Sequence, residues 1–173
     1  MKKVLMFASM LAFVACGGGE QPTATEPEST EYPATEVVEE DAVEDEDAGV
    51  VEIQLRTVGE TMADMEFSPK QIKVAAGSSV VVILENEAEA AAMIHNFVLV
   101  NRGTADEVYP LAIEAGPDNN YVPTDNENII AYTPMANPGE SVKVEFDAPE
   151  PGIYQFICTY PGHASMKGIF VVE

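Results

Sequence analysis

The sequence predicts an all-β fold for residues 50–173, built as a sandwich or barrel of short antiparallel strands. Apolar residues alternate with polar ones over short runs, which is typical of strands that bury one face. Clusters of Gly, Pro, Asn and Ser interrupt these runs, as turns between strands do. One interval lacks the alternation and predicts a helical flap, so the expected domain is all-β with one short helix.

Seven alternating runs define the predicted strands. On the strand that follows His95, Val98 and Val100 are expected on the face opposite to Phe97 and Leu99. The breaks between runs fall at residues 76–78, 86–87, 137–139 and 149–152. The apolar positions of the runs are Val51, Ile53 and Leu55; Ile72 and Val74; Val80, Val82 and Leu84; Phe97 and Leu99; Val142, Val144 and Phe146; Tyr154, Phe156 and Cys158; and those in the closing stretch 168–172.

The interval from residue 104 to about residue 128 differs from the strands. Thr104 is followed three residues later by Glu107, which is the pattern of a capping box at the start of a helix. Pro110 lies too deep for the first helical turn, the place where proline is tolerated. We therefore expect a short or irregular helix here, within a flap that lies on the sandwich.

Residues 1–15 have the properties of a bacterial signal peptide. Lys2 and Lys3 precede an apolar run that is too short to span a membrane. The run ends in Val-Ala-Cys and three glycines follow, which resembles the lipobox of bacterial lipoproteins, although residue 13 is Phe rather than the usual Leu. We predict a lipid on Cys16 that anchors the chain to a membrane; the alternative is ordinary secretion with cleavage near Ala15. Either way, the mature chain acts in the cell envelope, outside the cytoplasm.

Residues 16–49 predict a disordered acidic linker. The segment 20–49 holds twelve Asp or Glu residues and no Lys or Arg, and it is also rich in Pro and Thr. This composition favours a solvated spacer, with a docking tail for a basic partner as the alternative. The formal net charge is -22, and the predicted domain alone carries -12. Such acidity argues against nucleic acid as a partner.

One predicted loop carries three kinds of metal ligand. Cys158, His163 and Met166 fall between two predicted strands, with a Pro-Gly turn between the first two. A second histidine, His95, lies far upstream on a separate predicted strand. A thiolate, two imidazoles and a weak axial thioether form the ligand set of a one-electron copper site, in which the metal deprotonates the thiol. We therefore expect one copper ion that alternates between Cu(I) and Cu(II).

Each ligand residue alone has an ordinary structural explanation, since a single cysteine or methionine often just fills a core. The predicted domain has no other cysteine and only these two histidines, so their joint placement favours a metal site. Met93 and Met135 are also candidates for an apolar docking patch around His163. Four methionines are expected to pack in the core or at its rim rather than to form a second copper site: Met62, Met65, Met93 and Met135.

Residues 93–100, 158–163 and 166–168 resemble the ligand segments of the azurin and auracyanin branch of the cupredoxins, the small blue copper proteins. The resemblance implies a Greek-key β-sandwich with copper at one end. It further implies that His95, Cys158 and His163 bind copper in a plane and that Met166 binds axially. The likeness covers most of residues 60–173, and it extends to residues 67–69, 76–77, 137–141 and 149–154.

The same resemblance implies roles for the neighbours of the ligands. The carbonyl of Ile94 is expected on the side of the copper opposite to Met166, although azurin has a glycine at that position. Asn96 is expected to tie its strand to the loop around Thr159. Only two residues separate His163 from Met166, fewer than in azurin or auracyanin. The axial bond length and the reduction potential of the family therefore do not carry over.

The ligand set and the resemblance together predict a one-electron carrier rather than an enzyme. Multicopper enzymes need further histidines, and a binuclear centre needs a second cysteine in the loop. A hydrolase that used Cys158 and His163 would leave His95 and Met166 unexplained. The resemblance implies a monomer that meets a c-type cytochrome or a membrane quinol-oxidising complex where residues 161–164 reach the surface. The alternative is a copper carrier or buffer of the cell envelope.

Overall fold

The computed structural model describes residues 49–173, so the predicted signal peptide, Cys16 and nearly all of the linker lie outside the described residues. This part of the chain forms nine strands, one α-helix and a short 3-10 turn at Pro117–Asn119. Within it, no helix is long and apolar enough to cross a lipid bilayer. The elements are β1 (Val50–Val58), β2 (Glu66–Ser68), β3 (Gln71–Val74), β4 (Ser79–Asn86), β5 (Val98–Val100), α1 (Ala105–Ala115), β6 (Ile129–Tyr132), β7 (Ser141–Asp147), β8 (Gly152–Ile157) and β9 (Lys167–Val172).

The strands form two sheets, one with the order β2-β1-β4-β7 and the other with the order β3-β9-β8-β5-β6. Side chains of both sheets share one buried core, so the predicted β-sandwich is confirmed. The expectation of purely antiparallel pairing is wrong, because β1 lies parallel to β4 and β3 lies parallel to β9. The chain crosses to the other sheet as β3 before it returns as β4. Such a crossover, as in a Greek key, lets two strands of one sheet run in the same direction.

The alternation of apolar residues corresponds to the buried faces of the strands. Val80, Val82 and Leu84 on β4 are fully buried, whereas the residues between them are partly exposed. Burial of each large apolar side chain stabilises the fold by about 1.5 to 3 kcal/mol. The sequence does not predict β2 or β6, because β2 has three residues and β6 places two isoleucines side by side without alternation.

Helix α1 covers the outer face of strand β5. Ala105 and Val108 of the helix cluster with Val98 and Val100 of the strand, and Ala112 of the helix is also buried. The remaining residue of β5 packs in the main core instead. Both faces of β5 are therefore buried, which explains why this strand has no polar position.

The predicted short helix is confirmed and has eleven residues. Pro110 lies inside it with its side chain exposed. The expected cap is absent: the Thr104 hydroxyl donates a hydrogen bond to the Asn101 carbonyl (2.8 Å) instead of accepting one from the helix. Packing on β5 therefore outweighs both the proline and the missing cap, because tertiary contacts supply most of the stability of a helix.

Candidate metal centre

The loop between β8 and β9 carries three of the predicted ligands. Cys158 directly follows β8, and Met166 directly precedes β9. The Cys158 amide donates a hydrogen bond to the Met166 carbonyl (3.1 Å), which closes the loop at its base. Inside the loop, the His163 amide donates to the Tyr160 carbonyl (3.0 Å) and the Met166 amide donates to the His163 carbonyl (2.9 Å). These hydrogen bonds hold the loop between two paired strands.

His95 comes from a distant part of the chain, just before β5. It pairs with Ala136 through two backbone hydrogen bonds, of 3.1 Å from the His95 amide and 2.7 Å from the Ala136 amide. Strand β5 in turn pairs with β8, with Val98 opposite Ile157. Because His95 precedes β5 and Cys158 follows β8 in an antiparallel pair, the two residues meet at the same end of the sheet.

The structure brings His95, Cys158 and His163 together with their donor atoms facing one another. The Cys158 Sγ lies 3.7 Å from the Nδ1 of His95 and 3.7 Å from the Nδ1 of His163. The two Nδ1 atoms are 3.2 Å apart. All three side chains are buried. Among residues 49–173, no other group of three or more His, Cys, Asp or Glu side chains is spaced to share a metal.

These distances fit one metal ion bound by all three donors. At ordinary distances of about 2.0 Å to nitrogen and about 2.3 Å to thiolate, donors in a trigonal plane lie about 3.5 to 3.8 Å apart. The observed separations of 3.2 and 3.7 Å are close to those values. One thiolate with two imidazoles and no carboxylate is a set that copper prefers. The residues at this centre therefore fit a copper ion.

Burial shifts the pKa values of all three donors. It lowers the pKa of His95 to about 4, with a smaller contribution from the neighbouring charge of His163, and it also lowers the pKa of His163. It raises the pKa of the Cys158 thiol to about 11. Near neutral pH, both imidazoles are therefore uncharged and able to bind a metal through nitrogen, whereas the thiol keeps its proton. Metal binding must displace that proton.

Two further groups were expected along the axis of the site. Met166 is buried, and it packs in the same core cluster as Cys158. Ile94 is half-buried and immediately precedes His95. The axial bond from the Met166 sulfur and the approach of the Ile94 carbonyl stay predictions.

Asn96 connects the segment of His95 to the ligand loop. Its Oδ1 accepts a hydrogen bond from the Thr159 amide (2.9 Å), and its Nδ2 donates to the Thr159 hydroxyl (2.8 Å). Both residues are fully buried. Since Asn96 is bonded to His95 and Thr159 to Cys158, this pair fixes the spacing between two of the three donors.

Replacing Asn96 with alanine should lower the free energy of unfolding by about 2 kcal/mol, because the buried Thr159 amide loses its acceptor. Chemical denaturation of the full chain measures the change. Asn101→Ala is the matched control, since the Asn101 side chain donates its hydrogen bond to Asn128 at a partly buried site. Equal losses of stability in the two variants would contradict the special role of Asn96.

A second buried asparagine, Asn86, supports the site from strand β4. Its Nδ2 donates hydrogen bonds to the carbonyls of Met93 (2.7 Å) and Ala136 (3.0 Å). Its Oδ1 accepts one from the Thr57 hydroxyl (3.0 Å). Because Ala136 pairs with His95, Asn86 stabilises the segment that presents this ligand. Sequence reasoning missed this role, and its only signal was an asparagine at a predicted turn.

The surface above the site differs in part from the expectation. The loop residues on both sides of His163 are exposed, but His163 itself is only 1% exposed. Met62 is 50% exposed, and its methyl carbon lies 2.6 Å from the point where a Cβ would stand on Gly162. The assignment of Met93 to this surface is wrong, because Met93 is 4% exposed and packs in the core. Met135 is half-buried.

Known proteins with similar sequences are copper proteins. Residues 53–173 match the family described as copper binding proteins, plastocyanin/azurin family. Auracyanin-A of Chloroflexus aurantiacus is 40% identical over 129 residues, which are 73% of this chain and 76% of that protein. Azurin iso-2 of Methylomonas is 33% identical over 124 residues, which are 68% of this chain and 94% of that protein.

Solved structures agree with the sequence matches. The structure of auracyanin A from Chloroflexus aurantiacus, described as a "blue" copper protein, is 39% identical with a TM-score of 0.65, and the match covers 72% of this chain and 100% of that one. Dithionite-reduced auracyanin from Roseiflexus castenholzii is 36% identical with a TM-score of 0.63 over 73% of this chain and 97% of that one. The predicted resemblance is therefore confirmed, and the chain belongs to the plastocyanin/azurin family of copper-binding proteins.

Proposed function

We propose that this chain is a one-electron carrier that uses a single copper ion held by His95, Cys158 and His163. The observation that carries the proposal is the buried triangle of one sulfur and two nitrogen donors, 3.2 to 3.7 Å apart. When bound there, a copper ion supplies one-electron chemistry by alternating between Cu(I) and Cu(II). Ligands that the fold holds in place move little between the two states, which favours rapid electron transfer.

Burial of the donors favours electron transfer over chemistry on a bound substrate. His95 and Cys158 have no exposed surface, and His163 has almost none. A substrate would have no direct route to the metal, whereas an electron can pass through the His163 ring to a protein docked on the loop. The half-exposed Met62 adds apolar surface beside Gly162, which suits the small interfaces of transient redox complexes.

Other residues support the site under this proposal. Met166 would supply a thioether ligand, and the Ile94 carbonyl would lie near the copper ion as a further weak contact. Asn96 and Thr159 keep the two ligand-bearing segments at a fixed spacing through their paired hydrogen bonds. Asn96 and Thr159 do not bind the metal themselves; they orient the residues that do, as hydrogen-bonding neighbours of ligands do in other metal sites.

We further propose that the protein works outside the cytoplasm, anchored to a membrane of the cell envelope by a lipid on Cys16. The signal peptide predicted at residues 1–15 and the acidic linker 16–49 support this location. The linker gives the domain a reach on the order of 30 Å. The protein acts as a monomer, and its redox partners are a c-type cytochrome or a membrane quinol-oxidising complex. The charge of -12 on the domain favours partners with basic faces.

Visible absorption of the purified full chain tests the electron-carrier proposal. One equivalent of Cu(II) should give an intense blue or green thiolate-to-copper band that bleaches with ascorbate and returns on reoxidation. Absence of the band, or irreversible fading as Cys158 oxidises, would reject the proposal. Those outcomes, together with rapid release of copper to a chelator, would favour a copper carrier or buffer instead.

Substituting Met166 with leucine should leave copper bound and raise the reduction potential, because loss of the weak sulfur donor disfavours Cu(II) more than Cu(I). We expect a shift of about 60 mV, equivalent to a tenfold change in the equilibrium constant of a one-electron couple. Redox titration of the blue band measures it. Met65→Leu removes another buried thioether outside the loop and is the control. Complete loss of copper, or equal shifts in both variants, would argue against an axial Met166.

A further inference from the structure

The phenol of Tyr109, in the middle of helix α1, is hydrogen-bonded to the backbone of the ligand loop. Its oxygen accepts a hydrogen bond from the Gly162 amide (2.7 Å). Its hydroxyl donates to the Tyr160 carbonyl (3.2 Å). The same carbonyl accepts the amide of His163 (3.0 Å). A single side chain from the helix therefore contacts both backbone groups that shape the turn directly before His163.

The turn is also held by the Tyr160–His163 backbone hydrogen bond and by the packing of the Tyr160 ring on Tyr121, but neither of these contacts engages the Gly162 amide. Residue 161 is proline, which has no amide hydrogen to donate. Gly162 has a φ of 89°, a conformation that glycine reaches easily but also leaves easily. Both residues are exposed. Since Gly162 is exposed, water would otherwise accept the hydrogen bond of its amide, and the Tyr109 phenol provides an acceptor that is fixed on helix α1 instead.

A cavity of about 100 Å³ lies where helix α1 meets the loop, lined by Ala105, Tyr109, Cys158 and Ala164 among others. Close packing between the helix and the loop is therefore incomplete. An ion pair between Asp106 and Lys167 (2.8 Å) also joins α1 to the start of β9, but the Asp106 carboxylate is largely exposed. Exposed ion pairs contribute little. The two hydrogen bonds of Tyr109 are therefore the strongest described connection between the helix and the turn.

We propose that Tyr109 is a positioning residue of the copper site, which acts through the turn 160–162 to hold the His163 ring against the other donors. The proposal rests on the proposed copper site and adds a function for helix α1. With the phenol in place, His163 has one orientation, so the metal leaves slowly. Without the phenol, the turn directly before His163 gains conformational freedom.

The substitution Tyr109→Phe tests this role, because it keeps the ring and removes only the hydroxyl. We expect the copper-loaded full chain to lose copper to a chelator at least about fivefold faster, because the variant loses both hydrogen bonds of the phenol and the net contribution of one such bond corresponds to about that factor. We also expect its thiolate-to-copper band to change in position or relative intensity. Tyr154→Phe is the matched control. Tyr154 lies on β8, the strand that precedes the loop, and its hydroxyl also donates to a backbone carbonyl, that of Glu150 (2.7 Å).

If Tyr109 had a purely structural role, Tyr109→Phe would lower the melting temperature, but its band and its rate of copper loss would not differ from those of Tyr154→Phe. That result, or equal effects in the two variants, would overturn the proposal. The rate of copper loss is measurable whether or not the bound copper can be reduced reversibly. A parent chain that fails to bleach and recover would therefore reject the electron-carrier function and still leave the comparison of the two tyrosines decisive.

Discussion

Replacing Cys158 with serine is expected to abolish the intense visible band of the copper-loaded protein. The band requires a thiolate bonded to Cu(II), and a serine hydroxyl is a poor ligand for copper at neutral pH. Cys158 is also fully buried in the main core. The substitution should also lower the free energy of unfolding by about 1 kcal/mol, because a smaller hydroxyl fills the buried space less well than the sulfur does. Absorption and chemical denaturation of the same preparation measure both effects.

A control must separate the loss of the ligand from the addition of a hydroxyl to the loop. Ala164→Ser adds the same group to the same loop at an exposed position and removes no donor. It should keep the band and the stability of the parent. Retention of an intense band in Cys158→Ser would show that the colour arises from another site.

The substitution Gly168→Ala is expected to lower the free energy of unfolding by about 3 kcal/mol or more, as severe overpacking of a core does. A Cβ on Gly168 would overlap the ring of Phe156, which lies opposite Gly168 on the paired strand β8. The Phe156 ring has no free space, because it packs edge-on against Phe67 (5.1 Å between centroids) and tilted against Phe97 (5.6 Å). Chemical denaturation measures the loss.

Two further variants make this prediction specific. Gly152→Ala, also on β8, should have a small effect, because its Cβ would only reach ordinary contact with Tyr154 at 3.5 Å. The double variant Phe156→Leu with Gly168→Ala should lose less stability than the sum of the two single variants, since a smaller side chain makes room for the methyl group. Simple additivity would show that the clash is not the cause.

The sequence was sufficient to propose the ligands, because the chemistry of copper restricts them to few residue types. Cys158, His163 and Met166 share one short loop, so their proximity needs no knowledge of the fold. The position of His95 was harder to obtain, because it depends on the pairing of β5 with β8 over a long sequence separation. The sequence did not predict that pairing, and His95 was singled out because the predicted domain has only two histidines.

Tertiary packing determined what the sequence could not predict. The parallel pairs arise from the path of the chain between the sheets, which apolar alternation along one strand does not encode. Helix α1 continues past Pro110 because it covers Val98 and Val100 of β5. The contact of Tyr109 with the loop has no motif, although Ala105, Val108 and Ala112 mark the helical stripe beside which it stands.

The hydrogen bond that closes the base of the ligand loop makes this loop an exchangeable module. The Cys158 amide meets the Met166 carbonyl directly beside the last strand pair, Ile157 opposite Lys167. A replacement that preserves these two end points would leave the register of β8 and β9 unchanged. Loops of other lengths between the same end points could therefore be grafted here, so that affinity for different metals could be explored on one unaltered scaffold.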